Sequence, residues 1–146
     1  MLFRSDGRFD RAREQVIASL RQLPADVRFQ VITYDRNAFA LHVGESGLAV
    51  ATPANVNAAA AELTMMSPEG ATDHVRALQR ALSLGPDVIY FLTDEDDLTP
   101  SDVRRITQLN TRHVSIHALC LVPPSTANTP MWNLARQNRG IFQVVH

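Results

Sequence analysis

Two apolar runs, Val88-Ile89-Tyr90-Phe91-Leu92 and Val114 to Val122, most narrow what this chain can fold into. Turn-forming residues bound them, Gly85-Pro86 before the first and Pro123-Pro124 after the second. Between them stands Thr99-Pro100-Ser101-Asp102, which has the order of a helix start: a hydroxyl cap, proline at the first helical position and a carboxylate three residues after the cap. That helix is expected to run to Asn110. Strands apolar on both sides are those buried on both faces, and a helix joining two of them is the repeating unit of a parallel sheet.

The alternation continues in both directions. Downstream, Thr129-Pro130 opens a helix through Asn138, Gly140 follows it, and Ile141 to Val145 reads as a closing strand. Upstream, Thr72 or Asp73 caps a helix with Val75, Leu78 and Leu82 on its inner face, ended by Gly85-Pro86. Asn55 is expected to cap another, carrying Val56, Ala59, Ala60 and Leu63 along one side, after a loop at Gly44-Glu45-Ser46-Gly47. Phe9, Ala12, Val16, Leu20 and Leu23 recur at helical spacing and predict a first helix over 8–23, stopped by Pro24. Val27 to Tyr34 and Ala38 to Val43 then form a hairpin about Asp35-Arg36-Asn37. The expected fold is a single α/β domain over residues 1–146: a three-layer sandwich around a mostly parallel sheet with an antiparallel edge hairpin.

Composition removes several function classes. The net charge is −1, from 14 basic and 15 acidic side chains, and no basic run interrupts it, so nothing supports a nucleic-acid or anionic-membrane surface. No apolar stretch approaches the roughly 18 residues of a membrane span. Met1-Leu2-Phe3-Arg4 lacks the apolar core of a signal peptide, so the chain as written is expected in the cytoplasm. Cys120 is the sole cysteine, which excludes an internal disulfide, and its apolar surroundings predict a buried thiol.

The chemistry concentrates where the first apolar run ends in Asp94-Glu95-Asp96-Asp97. Ligands of open parallel sheets gather at the carboxyl ends of the strands, and Asp94 is the first residue to emerge there. The loop Gly70-Ala71-Thr72-Asp73 precedes a helix and can bring a hydroxyl to the same edge. A hydroxyl and a carboxylate, completed by water, suit a small hard cation such as Mg²⁺. Glu95, Asp96 and Asp97 are read as solvated charges favoured by the N-terminus of the next helix.

Other readings of the same residues are weaker. Asp94-Glu95-Asp96 after an apolar strand resembles the Asp-x-Asp of haloacid-dehalogenase-like phosphatases, with Asp94 as nucleophile and Asp96 as acid and base, but that chemistry also needs a lysine and the chain has none. A calcium loop starting at Asp94 would place Leu98 and Arg105 at ligand positions. His113 and His117 are four apart near a strand, about 13 Å along it, and do not pair as metal ligands. His74 is expected to face solvent from its helix, and Met131 and Trp132 to line a buried helix face.

The order of these pieces resembles the von Willebrand factor type A (vWA) domain family over nearly the whole chain. Arg8-Phe9-Asp10-Arg11-Ala12-Arg13 with Leu20-Arg21-Gln22-Leu23 is similar to that family's first helix, and Arg28 to Tyr34 to its second strand. Gly70-Ala71-Thr72-Asp73 with Ala77-Leu78 and Ala81-Leu82 resembles its threonine loop and following helix. Ile89-Tyr90-Phe91-Leu92-Thr93-Asp94 resembles its strand ending Leu-Thr-Asp-Gly, with Glu95 in place of the glycine, and Leu134 to Phe142 its closing helix and strand.

The resemblance implies a noncatalytic protein-interaction module. It also implies a metal-ion-dependent adhesion site, in which a divalent cation such as Mg²⁺ keeps an open position for an acidic side chain of a protein partner. In that family the site joins an Asp-x-Ser-x-Ser motif on the first strand, a threonine and a later aspartate; Thr72 matches the second part and Asp94 the third. No Asp-x-Ser-x-Ser occurs in the chain, and Met1 falls where the methionine after that motif stands in the family. The expectation is therefore an N-terminally truncated vWA domain lacking its central first strand, with an incomplete metal site. A metal-free interaction domain of the same fold is the alternative. Strands left with open edges would favour association or strand exchange.

Overall fold

The computed structural model describes residues 8–34, 38–41, 43, 47–66, 73–93, 98–121 and 129–144. The chain forms two compact units, Met1–Thr72 and Asp73–His146.

The first unit begins with α1 (Arg8–Arg21), whose expected inner positions Ala12 and Leu20 are buried, with Val16 and Leu23 partly so. The predicted continuous strand 27–34 is instead two short ones, β1 (Arg28–Phe29) and β2 (Ile32–Tyr34). The hairpin forms as expected between β2 and β3 (Ala38–Ala40), with Ile32 opposite Ala40 and Tyr34 opposite Ala38. By contrast β1 turns to β4 (Ala49–Val50), pairing Arg28 with Val50 and Phe29 with Ala49.

Gln30 bridges the break. Its Nε2 donates to the carbonyls of Leu41, Val43 and Gly47 at 3.3, 2.8 and 2.8 Å, and its Oε1 accepts from the Val31 N–H at 2.9 Å. One amide thus satisfies backbone groups that a continuous ladder would have paired.

Next, α2 (Pro53–Met65) starts two residues before Asn55, because Thr52 is the cap: its hydroxyl accepts from the Asn55 N–H at 3.2 Å. The Asn55 side chain instead donates to the Val50 carbonyl at 2.8 Å, tying the helix to β4. The predicted stripe Val56, Ala59, Ala60 and Leu63 is buried, and α2 packs on α1. Leu20, Phe29, Leu41, Ala49, Val56 and Leu63 are central to this unit's core.

In the second unit, α3 (His74–Ser83) is capped by Asp73, whose Oδ1 accepts from the Arg76 N–H at 3.0 Å. It ends at Gly85, which turns the chain with φ 68°. Helix α4 (Pro100–Leu109) joins β5 (Val88–Thr93) to β6 (Ser115–Cys120), and α5 (Pro130–Gln137) joins β6 to β7 (Phe142–Val144). The three strands form one parallel sheet in sequence order, matching Val88 with Ser115 through Thr93 with Cys120, and Ala118 with Phe142.

The sheet face carrying Ile89, Phe91, Ile116, Ala118 and Cys120 is buried. Helices α3, α4 and α5 pack side by side, and α5 lies on β6 and β7. The expectation that β5 is covered on both faces fails in its first half, where Val88 and Tyr90 are exposed at 41% and 69%. Gly140 is fixed by close approach: a Cβ there would lie 1.7 Å from the Ile116 carbonyl oxygen.

Candidate functional site

The carboxyl end of β5 is held tightly up to the residue where the acidic run begins. Phe91, Leu92 and Thr93 are 4%, 6% and 3% exposed. The Thr93 carbonyl accepts from the Leu121 N–H at 3.0 Å, which carries the parallel register to the last residue of the strand. After the acidic run, Leu98 is buried and Thr99 forms the predicted capping box: its Oγ1 accepts from the Asp102 N–H at 3.1 Å, and Asp102 Oδ2 accepts from the Thr99 N–H at 3.0 Å.

The start of α3 is anchored to this strand. His74 is 7% exposed, and its ring meets Phe91 edge-on with centroids 5.4 Å apart. This corrects the expectation of a solvent-facing His74: the buried stripe of α3 runs through His74, Ala77 and Leu78 rather than through Val75. Sequence periodicity alone misplaced it by one position, because an aromatic neighbour on β5 accepts an imidazole ring as well as it would an aliphatic group.

Thr72 and Asp94, the two sequence-predicted metal ligands, lie outside the described residues, as do Glu95, Asp96 and Asp97. What the structure brings together is the pair of segments leading to them: Asp73-His74 after Thr72, and Phe91 to Thr93 before Asp94. Among the described residues, no group of three His, Cys, Asp or Glu side chains is placed to hold a metal ion.

At the other end of the strands stands a polar cluster that sequence reading missed. Asn110 and Asn138 are the C-caps of α4 and α5. Asn110 Nδ2 donates to the Asn138 Oδ1 at 2.9 Å and to the Val114 carbonyl at 2.8 Å, while its Oδ1 accepts from the Val114 N–H at 2.8 Å. Asn138 Nδ2 donates to the Leu134 carbonyl and to Thr107 Oγ1 at 2.8 and 3.0 Å. Both side chains are buried and use their bonding capacity within the chain, so the cluster ties two helix ends together. The signal in the sequence was an asparagine at the end of two successive helices.

Of the remaining expectations, Cys120 is 1% exposed and outside any disulfide. Met131 is fully buried as expected, but Trp132 is only half-buried, with the Arg136 guanidinium 5.0 Å from its ring centroid. His117 accepts from the Ile141 N–H through Nδ1 at 3.1 Å and stacks on Tyr90. No helix among the described residues is long and apolar enough to cross a membrane.

The sequence model of the family described as von Willebrand factor type A domain matches residues 5–144. Among solved structures, the chain is similar to a von Willebrand factor type A protein from Catenulispora acidiphila, with a TM-score of 0.82 over 97% of this chain at 18% identity. The likeness at that identity is one of fold, α/β and Rossmann-like. This chain spans 35% of that protein's length. No curated protein matches it.

Proposed function

The chain belongs to the von Willebrand factor type A family, and from that premise we propose that it is a noncatalytic protein-interaction module whose partner contacts the carboxyl edge of β5 through Asp94 and Thr72. The observation that carries this reading is the edge-on packing of His74 against Phe91, since His74 lies two residues after Thr72 and Phe91 three before Asp94. The donors fit a hard cation: one hydroxyl and one carboxylate, both oxygen, are what Mg²⁺ takes alongside water. Bound there, such an ion would supply an open coordination position for an acidic side chain of the partner. Thr72 would contribute its hydroxyl and Asp94 its carboxylate, while Asp73 is engaged as the α3 cap.

A second reading, interaction without metal, is favoured by the sequence itself, because none of its residues form Asp-x-Ser-x-Ser. Thermal melting separates the two. A cation held by the folded chain alone raises the midpoint by mass action. The first reading predicts a higher melting temperature in millimolar Mg²⁺ than in EDTA for the natural chain, and no difference for Asp94→Ala. Identical midpoints for the natural chain in both buffers would support the metal-free module.

A further inference from the structure

The α3, α4 and α5 layer carries several exposed arginines. On α3, His74, Ala77 and Leu78 face inward and leave Arg80 exposed in the last turn. On α4, Val103 and Ile106 are buried and Arg104 and Arg105 stand outward. On α5, Met131, Leu134 and Ala135 are buried and Arg136 projects from the last turn beside Trp132. The carboxylates of these helices, Asp73 and Asp102, stand at the N-terminal ends, and both are occupied as caps. None of Arg80, Arg104, Arg105 and Arg136 forms an ion pair with a described carboxylate. A chain with 15 acidic and 14 basic side chains thus carries four guanidiniums on three neighbouring helices without an ion pair to a described carboxylate.

We propose that this face is a docking surface for a short carboxylate-rich segment of a partner protein. Adjacent helix axes lie about 8–10 Å apart, so three helices span about 16–20 Å, the reach of about six extended residues. The cations are all arginine, whose planar fork bonds a carboxylate through two parallel N–H groups. Trp132 adds an aromatic surface already stacked with one of them. The net charge of −1 argues against a long polyanion, which the whole molecule would not attract, and leaves a short acidic peptide as the fitting occupant.

The test is fluorescence anisotropy of a labelled hexaglutamate peptide with the full chain in EDTA, which keeps it independent of any cation at Asp94. The peptide is expected to bind, and to lose affinity about tenfold as salt rises from about 50 to about 200 mM. Replacing Arg104, Arg105 and Arg136 together by glutamine should weaken binding by about tenfold or more with an unchanged melting temperature, whereas Arg21→Gln on α1 should not. The proposal is overturned by absence of binding at low salt, by an equal loss in Arg21→Gln, or by a hexanucleotide that binds as tightly as the peptide.

Discussion

In the unit from 73 to 146 the strands hold one another directly, β5 matching β6 residue for residue from Val88 to Thr93, whereas in the unit from 1 to 72 the ladders span only two or three residues. There a side chain supplies what backbone pairing leaves unmet, as Gln30 reaches three carbonyls on the segment from Leu41 to Gly47. The difference teaches where each region is vulnerable. A parallel sheet fails when its strands cannot approach; a sheet bridged by an amide fails when the amide is lost.

The sharpest way to break the comparison is Gly140→Ala. A methyl group 1.7 Å from the Ile116 carbonyl must push β7 away from β6, because a backbone atom cannot rotate aside. A loss above about 4 kcal/mol is expected in urea denaturation, among the largest single-residue effects. Leu63→Ala strikes the hydrophobic cluster of the other unit, where the side chain is 1% exposed, and should cost about 2–5 kcal/mol.

Gln30→Ala should cost about 2–3 kcal/mol by stranding three carbonyls and the Val31 N–H, with faster hydrogen exchange at Val31 and Leu41 and unchanged protection across β5 and β6. Exchange that rose equally in β6 would erase the distinction between the units. Smallest is Thr99→Ala, about 1 kcal/mol, since one capping hydroxyl is removed from an exposed helix start.

Sequence and structure agree where the signals are local. The buried stripe of α2, the Thr99 capping box and the alternation of β5, β6 and β7 with helices each rest on residues a few positions apart, and each was legible. The split of the second strand was not, because it depends on Gln30 meeting carbonyls 11 to 17 residues away, and a glutamine within a strand pattern carries no sign of that. β4 escaped notice for the same reason: two residues, Ala49 and Val50, have no periodicity. At the candidate site, the strand end was readable from the apolar run and the helix cap was narrowed to Thr72 or Asp73, while the burial of His74 required knowing that Phe91 stands opposite it.

The central proposal is that Thr72 and Asp94 would serve one cation at the carboxyl edge of β5. Calorimetric titration of Mg²⁺ into the natural chain, Thr72→Ala, Asp94→Ala and the double variant tests it directly. Two ligands of a single ion couple, so their effects are not additive. The account predicts binding near the millimolar range, lost about equally in Asp94→Ala and in the double variant. Titration curves that are the same for all four proteins would contradict it.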